Sequence, residues 1–402
     1  MMLLNYRCEN FGAFKEPIEF SMKPGKVTSR FKDNVYEINN KLKISKIAVV
    51  VGENAGGKTS FMRSLDYFKF ILIDRKIPRA KKNFCNKYNN KDGQKFKITI
   101  LVDKKIYNYS LELDEKFLVN EKLEVKNYNQ TKFEKVFDMK RTKCNVNGNS
   151  VEVMLRPSVS DKFFDLDILK IISNIENNGY KGQQLFVNYL NTIGVDIVRP
   201  FMNYITDGLS INLPEEASYN VYRYIEQNEK DIEIMKTKEF LEIFRLVDST
   251  IIGVEIDEED PFRESIVIRK CGEENFKIKI MQDSSGVKEF FAWAIQIWEV
   301  IYKDKTVFAD EVDKVLNSIL AIKVINYIKN SDHRGQFIFS THNVLHLNTN
   351  IFMKDQIYFV TKDSESLTSE LYSLADFEDY KYNKPNVYEL YLKGAFGGVP
   401  NA

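Results

Sequence analysis

The chain has 402 residues, which is enough for two or three domains with a buried core. Hydrophobic residues make up 44% of it and charged residues 29%, an ordinary globular composition that excludes intrinsic disorder. Lys and Arg number 58 and Asp and Glu number 57, so the net charge of +1 excludes a whole-chain attraction to nucleic acid and leaves only local basic patches.

Cysteine spacing and hydropathy narrow the class of protein further. The four Cys residues form no C-x-x-C pair, which excludes a zinc ribbon and fits a reducing compartment. The amino-terminal residues lack the apolar core of a signal peptide, and the longest apolar stretch, 290–302, is too short to span a bilayer. We therefore expect a cytoplasmic protein without a membrane partner.

The first predicted elements form a strand–loop–helix unit. Two strands, at residues 2–10 and 16–22, open the chain and are joined by a turn. A continuous apolar run over 44–51 is typical of a parallel strand that is buried on both faces. A glycine-rich loop and helical spacing of apolar residues over 59–72 follow it, so the sequence predicts an α/β fold.

The glycine-rich loop, GENAGGKT, matches the phosphate-loop pattern G-x-x-x-x-G-K-[ST]. Its glycines let backbone N–H groups surround phosphate oxygens, and the following helix directs its positive end at the same anion. Lys58 is expected to reach the β- and γ-phosphates of a bound nucleotide, and the Thr59 hydroxyl to bind Mg²⁺. The alternative is a plain turn with a surface lysine. The predicted nucleotide-binding residues are Gly52, Glu53, Asn54, Ala55, Gly56, Gly57, Lys58, Thr59 and Ser60.

A basic segment follows over residues 75–97, with nine Lys and Arg against one acidic residue. It is either a solvated loop or a contact with nucleic acid. In the second case Phe84, Tyr88 and Phe96 are the aromatic side chains that could stack on bases.

The middle of the chain alternates between strand and helix patterns. Alternation over 95–125 predicts hairpins that face a core on one side. Helical spacing of apolar residues within 158–247 predicts a helical insertion. Strand patterns then return at 251–256 and 264–280.

The sequence DSSGVK opens a strongly amphipathic helix. Ser285 is expected to cap this helix and Gly286 to leave backbone amides bare, which would make a second anion site at a helix N-terminus. The alternative is a capped helix that binds no ligand.

Polar residues also follow two later apolar strands. The strand 306–309 ends in Asp310 and Glu311, which are expected to hold Mg²⁺ and to act as general base for an attacking water. The strand 336–339 ends in Ser-Thr-His, and His342 is expected to donate a hydrogen bond to the γ-phosphate. The alternatives are a pair of solvated carboxylates and a structural histidine.

The order of these motifs resembles the ABC-type ATPase heads of RecF, SMC and OLD proteins, and most closely the AbiL/RloA-like "AAA family ATPase" group linked to phage defence. The matching features are Asn10-Phe11, GENAGGKT, DSSGVK, DEVD, STH, QIYFV, LYSLADF and YLKGAFGGVP. The resemblance implies an ABC-ATPase-like α/β head in three parts. These are an N-terminal, β-rich ATPase lobe with the phosphate loop (1–155), a helical insertion (156–235) and a C-terminal ATPase lobe (236–402).

The resemblance also implies cofactors and residue roles. ATP and Mg²⁺ are the implied cofactors, with Thr59 and Asp310 on the metal. The implied catalytic residues are Lys58, Glu311 and His342.

A dimer is a further implication of the resemblance. Ser285 and Gly286 match the signature that contacts the γ-phosphate of the opposite subunit, and Asp313 matches a dimer contact. A homodimer or a higher even-numbered oligomer is therefore expected. The signature reads DSSGV rather than LSGGQ, Gly12 replaces an arginine for which Lys15 could substitute, and no glutamine can be assigned to the Q-loop.

Three functions stay open on these grounds. The first is an ATPase of an anti-phage system, of the abortive-infection or toxin–antitoxin kind, that senses or regulates a separate TOPRIM-like or RloB-like effector from a neighbouring gene. The 60 residues after His342 are too few for a TOPRIM domain, so the nuclease is expected in that effector. The second is a RecF/SMC-like DNA-repair ATPase that clamps DNA in its ATP-bound dimer, and the third is a nucleotide-regulated scaffold without turnover.

Overall fold

The computed structural model describes residues 1–26, 29–74, 84–89, 93–115, 118–146, 150–213, 229–380 and 387–397. The fold is α/β, as the sequence predicts, with a β-rich N-terminal lobe beside a mostly parallel core sheet that carries the phosphate loop. Within the described residues, no helix combines the length and apolar character needed to cross a bilayer.

The strands in the described part of the chain fall into four sheets. In chain order they are β1 (Met2–Glu9), β2 (Ile18–Ser21), β3 (Val35–Asn39), β4 (Leu42–Ser45), β5 (Ile47–Gly52), β6 (Gln94–Val102), β7 (Lys105–Leu113), β8 (Leu118–Asn127), β9 (Glu134–Val146), β10 (Ser150–Val159), β11 (Leu209–Asn212), β12 (Ile251–Glu255), β13 (Ile266–Cys271), β14 (Glu274–Lys279), β15 (Thr306–Ala309), β16 (Gln336–Thr341), β17 (Ile357–Lys362) and β18 (Ser369–Ser373).

The α-helices are spread over both lobes. In chain order they are α1 (Lys58–Ile73), α2 (Leu166–Asn178), α3 (Phe186–Thr192), α4 (Arg199–Asn203), α5 (Glu229–Met235), α6 (Lys238–Phe244), α7 (Ser285–Tyr302), α8 (Ser318–Asn330) and α9 (Val387–Leu392).

The N-terminal lobe is an antiparallel sheet with the order β10-β9-β8-β7-β6-β1-β2. The predicted hairpins over 95–125 are confirmed as β6, β7 and β8. Alternate residues of β6, such as Phe96 and Ile98, are buried, whereas Lys95 and Lys97 are exposed. The sheet thus covers the core with one face and meets solvent with the other.

The core sheet has the order β11-β15-β16-β5-β17-β18, and all its pairs except β17–β18 are parallel. Every residue of β5 is buried, as its apolar run predicts. Val50 joins the apolar cluster on the α1 side, whereas Val49 and Val51 join the cluster on the α7 side. Because parallel strands align their carboxyl ends, polar residues that follow β5, β15 and β16 share one edge of the sheet.

The predicted strand over 44–51 is two strands, which corrects the sequence-based boundary. Lys46 interrupts the run, and its Nζ donates to the carbonyl of Lys329 at 2.7 Å. β4 pairs with β3 outside the core sheet, whereas β5 enters it. An apolar run does not show which partner strand each part will pair with.

The segment predicted as a helical insertion contains α2, α3, α4, α5 and a π-helical turn at Tyr204–Gly208. It also contains β11, which pairs with β15 and forms the edge of the core sheet. The division at 156 and 235 stays a prediction, and residues 214–228 lie outside the described part of the chain.

A buried carboxylate joins this segment to the N-terminal lobe. Glu121 of β8 accepts hydrogen bonds from the backbone N–H groups of Phe186 and Val187, at 2.7 and 2.9 Å, at the start of α3. The Tyr109 hydroxyl donates to it as well, at 3.0 Å. Burial raises the pKa of Glu121 to about 7, although these three donors oppose the rise. The insertion is therefore fastened to the sheet by a fully buried polar contact.

Candidate nucleotide-binding site

The phosphate loop lies between the end of β5 and the start of α1, as the sequence predicts. A Cβ on Gly52 would lie 2.3 Å from the carbonyl oxygen of Val360 in β17, so only glycine allows the two backbones to approach this closely. Gly57, the residue before α1, has a φ of +115°, and Ala55 has a φ of +63°. These left-handed backbone positions wrap the chain around the helix N-terminus.

Lys58 lies within this loop and is only 4% exposed. Its Nζ donates to the carbonyl oxygens of Gly52 and Glu53 at 2.8 and 2.9 Å, and lies 3.2 Å from His342 Nδ1. Burial lowers the pKa of Lys58, and the nearby carboxylate of Asp310 is the largest effect that opposes this. The loop thus holds a buried cationic group where phosphate oxygens are predicted to bind.

Asp310 follows β15 at the same edge of the core sheet and is 6% exposed. Its Oδ1 accepts a hydrogen bond from the Ser340 hydroxyl, and its backbone N–H donates to Asn212 at 3.0 Å. Its Oδ2 is buried and has no hydrogen-bond partner among the described residues. A buried carboxylate oxygen without a donor is suited to a hard cation such as Mg²⁺.

The surroundings of Asp310 bear on how a metal ion would be held. Thr59, the other predicted metal ligand, is the second residue of α1 and is half-buried. Among the described residues, no group of three or more His, Cys, Asp or Glu could hold a metal ion. A Mg²⁺ ion at Asp310 and Thr59 would therefore take its remaining ligands from nucleotide and water, which is how Mg²⁺ is usually bound.

Glu311 has a left-handed backbone, with φ of 51° and ψ of 50°. Its backbone N–H donates to Ser340 Oγ at 2.8 Å, and its carboxylate pairs with Lys314 and lies 3.5 Å from His342 Nε2. Burial raises its pKa, but the hydrogen bond and charge of Lys314, followed by those of His342, outweigh burial and lower the pKa overall. The carboxylate is therefore ionised at neutral pH and can accept a proton.

His342 follows β16 and lies between the Lys58 ammonium group and the Glu311 carboxylate. Its backbone N–H donates to Asp313 Oδ1 at 3.1 Å. Asp313, predicted to be a dimer contact, thus has a partner within its own chain. The structure brings the ends of β5, β15 and β16 together as predicted, while the roles of these residues stay predictions.

The N-cap of α7 is Ser284, which corrects the prediction that Ser285 caps this helix. Ser284 has an extended backbone, and its side chain accepts from the N–H of Val287 at 3.4 Å. Ser285 is the first helical residue and is exposed, and nothing lies within 4 Å of a Cβ built on Gly286. The helix therefore starts one residue earlier, and the Ser285 hydroxyl is not used in the cap.

The topology places the start of α7 on the ligand side of the core sheet. α7 ends at Tyr302, shortly before β15 begins at Thr306. The helix thus returns the chain to the amino end of the strands, and its own first residues lie towards their carboxyl ends. No hydrogen bond among the described residues joins Ser285 or Gly286 to the phosphate loop of the same chain.

Two polar residues at this edge were not singled out by the sequence. Ser340 contacts both Asp310 and Glu311, and it could have been found as a hydroxyl one residue beyond the strand that the sequence predicts over 336–339. Asn212 ends β11 beside Asp310, and its Nδ2 is buried without a hydrogen-bond partner among the described residues. No sequence signal marks Asn212, because β11 is four residues long and lies within a mostly helical segment.

The basic segment is only partly described. Phe96, predicted as a base-stacking side chain, is 2% exposed and packs against Phe11 and Phe68, which corrects that prediction. Phe84 stacks on Phe11 with ring centroids 5.9 Å apart, whereas Tyr88 is 53% exposed. Most of the lysines and arginines of this segment, including Arg79, Lys81 and Lys82, lie outside the described residues.

Comparisons with known proteins concern the fold. No protein-family model matches the chain, and no curated protein matches it either. Among solved structures it is similar to an SMC head domain from Thermotoga maritima, with 14% identity, a TM-score of 0.44 and coverage of 93% of this chain and 99% of that one. It is also similar to an SmcHead bound to the C-winged helix domain of ScpA, with 12% identity, a TM-score of 0.46 and coverage of 93% and 97%. A third similar structure is an Smc head domain with an extended coiled coil bound to the C-terminal domain of ScpA derived from Pyrococcus furiosus, with 14% identity, a TM-score of 0.39 and coverage of 93% and 96%.

Proposed function

We propose that this chain is an ATP-binding and ATP-hydrolysing head of the ABC type. The observation that supports it most is the edge of the core sheet where Lys58, Asp310, Glu311 and His342 meet around a glycine-rich loop. A loop of this kind alone would support nucleotide binding. The ionised Glu311 and the unpartnered oxygen of Asp310 add the groups that hydrolysis requires.

Each residue has one task in this proposal. Lys58 exchanges its carbonyl partners for oxygens of the β- and γ-phosphates, and Thr59 and Asp310 hold Mg²⁺. When bound, Mg²⁺ neutralises charge on the phosphate oxygens. Glu311 accepts the proton of the attacking water, and His342 donates a hydrogen bond to the γ-phosphate.

The variant Glu311→Gln tests the catalytic part of this proposal. We expect it to bind ATP with unchanged affinity and to hydrolyse it about 10²–10⁴ times more slowly, since a general base contributes about that much. Glu289→Gln, at an exposed position of α7, is the matched control and should keep wild-type turnover. Phosphate release and equilibrium ATP binding are the measurements. Wild-type turnover in Glu311→Gln would refute Glu311 as the base.

The proposal includes a homodimer in which Ser285 and Gly286 of one subunit meet the nucleotide of the other. It is supported by the exposed start of α7 on the ligand side of the sheet. Two exposed apolar side chains that follow Asp313 and His342 along the chain also suit a protein partner, since Ile319 is 71% and Leu345 is 58% exposed.

The variant Glu311→Gln, which is expected to hydrolyse ATP slowly, also tests whether ATP joins two subunits. With ATP and Mg²⁺, Glu311→Gln should have twice the monomer mass by light scattering, because the nucleotide that joins the subunits persists. Adding Ser285→Arg should prevent this, whereas adding Ser173→Arg, on an exposed position of α2, should not. A monomer under all conditions would contradict the proposed dimer.

The finer role that we propose is regulation of a separate effector in phage defence. Its support is the resemblance of the motifs to the AbiL/RloA-like group. Residues 357–373, which follow His342, form β17 and β18 of the core sheet and therefore belong to the ATPase head, not to an effector domain. Co-purification with the products of neighbouring genes is the direct test, and the absence of any stable partner there would count against this role.

A second candidate function, binding of nucleic acid, is supported by the distribution of charge. Residues 1–155 carry 31 Lys and Arg against 18 Asp and Glu, whereas residues 156–402 carry 27 against 39. The net charges of +13 and −12 cancel in the whole chain but not on its surface. A polyanion would therefore bind the N-terminal lobe.

A further inference from the structure

Ser340 lies where two strands of the core sheet separate. The pairing of β15 with β16 ends at Ala309 opposite Phe339, and Ser340 is the next residue of β16. Its side chain is fully buried. It thus lies beside the turn by which the chain leaves β15 through Asp310 and Glu311.

One hydroxyl group contacts both of these residues. Ser340 Oγ donates to Asp310 Oδ1 and accepts from the backbone N–H of Glu311 at 2.8 Å. A serine hydroxyl has one donor and two acceptor positions, and the backbone N–H of Glu311 can only donate to it. The proton must therefore point at Asp310, which leaves an oxygen lone pair for Glu311.

The backbone of Glu311 depends on such a contact. Glu311 has a φ of 51°, in the left-handed region, and a residue other than glycine stays in this strained conformation only when its surroundings hold it there. Ser340 holds the amide of Glu311, while the backbone N–H of Lys314 donates to its carbonyl at 3.0 Å. This turn directs the Glu311 carboxylate towards His342.

We propose that Ser340 is a positioning residue for ATP hydrolysis, which couples the orientation of the metal-binding Asp310 to that of the general base Glu311. The inference rests on the proposed ATPase function. Ser340 itself does not touch ATP in this proposal. It acts through the two carboxylate residues that it holds.

The test compares two deletions of a buried hydroxyl. Ser340→Ala should lower kcat by about 10–100-fold and raise the Mg²⁺ concentration needed for half-maximal ATP binding, because residues that orient a metal ligand have effects of that size. ATP binding without Mg²⁺ should stay unchanged. Ser64→Ala removes an equally buried hydroxyl of α1, which accepts from the Tyr6 hydroxyl of β1 and donates to the Phe61 carbonyl, and it should change neither quantity.

Two further variants separate positioning from loss of structure. Ser340→Thr keeps the hydroxyl and should restore most of kcat. Should Ser340→Ala be insoluble, Ser340→Cys fills the site with a slightly larger side chain that is only a weak donor, and it should show the same loss. Ser340→Ala in the Glu311→Gln background should still weaken Mg²⁺-dependent ATP binding, which is measured there without turnover.

The outcomes distinguish this inference from the proposed function. Wild-type kcat and Mg²⁺ dependence in Ser340→Ala would overturn it, and so would an equal loss in Ser64→Ala. A wild-type protein that binds but does not hydrolyse ATP would instead refute the ATPase proposal.

Discussion

The charge state of Glu311 depends on its neighbour Lys314, whose side chain is mostly exposed. Lys314 is the main group that offsets the burial of Glu311, so that the pKa lies below the ordinary value of 4.5. A general base must be ionised, and a lowered pKa keeps it ionised as the pH falls. The ion pair thus extends the acidic range in which Glu311 can act.

Removal of this neighbour should therefore change the pH dependence of ATP hydrolysis. In Lys314→Ala the pKa of Glu311 rises, so the acidic limb of the kcat/KM profile should move to higher pH while the rate at neutral pH changes little. Lys314→Arg keeps the positive charge and should keep the wild-type profile. A shift to lower pH, or no shift at all, would contradict the role of Glu311 as base.

The placement of the candidate residues was the part of the site that the sequence predicted best. The positions of Lys58, Asp310 and His342 at one edge are confirmed, because each follows a strong apolar strand and parallel strands align their ends. The sequence could not identify Ser340 and Asn212 as site residues. The role of a buried hydroxyl or amide depends on the groups that contact it, and only the fold brings those groups together.

At the scale of elements, the close approach of β5 and β17 depends on Gly52. The variant Gly52→Ala would place a methyl group 2.3 Å from the Val360 carbonyl oxygen, so the strands must separate. We expect a loss of roughly 1–3 kcal/mol in the free energy of unfolding, as for other overpacked interiors, with weaker ATP binding. Denaturant unfolding measures the first effect.

Gly286→Ala is the control for this variant. Nothing lies within 4 Å of the added methyl group, and alanine favours a helix over glycine by about 1 kcal/mol, so stability should rise or stay unchanged. Equal destabilisation by both substitutions would show that Gly52 has no special packing role.

Elements were predictable where periodicity was strong. The helix predicted over 59–72 is α1, and the strand predicted over 306–309 is β15. The four residues of β11 were missed because they are a strand only by virtue of pairing with β15. The start of α7 was misplaced by one residue, since adjacent serines offer the same capping chemistry.

At the scale of the whole molecule, three basic loops meet at one end of the N-terminal lobe. The Tyr128 N–H donates to the carbonyl of Lys104 at 2.9 Å, and Asn39 Nδ2 donates to Asn129 at 3.2 Å. The exposed lysines of this basic end are Lys23, Lys41, Lys104, Lys105 and Lys132. This basic end lies where β1 starts. The phosphate loop lies beyond the other end of β1, since the residues after β1 lead to Ala13, which lies beside Gly57 of the loop.

Binding of nucleic acid should therefore depend on these lysines and not on ATP. Changing Lys41, Lys104 and Lys132 to Gln should weaken binding of a labelled DNA or RNA duplex and lower the slope of log K against log salt by about 2–3, since each phosphate contact contributes about 0.9. Fluorescence anisotropy at several salt concentrations measures both.

The control removes the same charge from lysines that already pair with acids on this lobe. Changing Lys43, Lys122 and Lys140 to Gln, whose partners are Glu37, Glu124 and Asp138, should leave binding nearly unchanged. Equal weakening by both sets would indicate a diffuse charge effect, and binding of anionic vesicles alone would argue against a nucleic-acid partner.

The short strand β11 has a mechanical consequence. It follows the π-helical turn that comes directly after α4, and the carbonyl of its last residue, Asn212, accepts the Asp310 N–H at 3.0 Å. A displacement of α4 is therefore expected to reach Asp310 through the turn at Tyr204–Gly208, the paired strands β11 and β15 and the hydrogen bond at Asn212. A partner that binds α4 should thereby change ATP turnover from the edge of the core sheet.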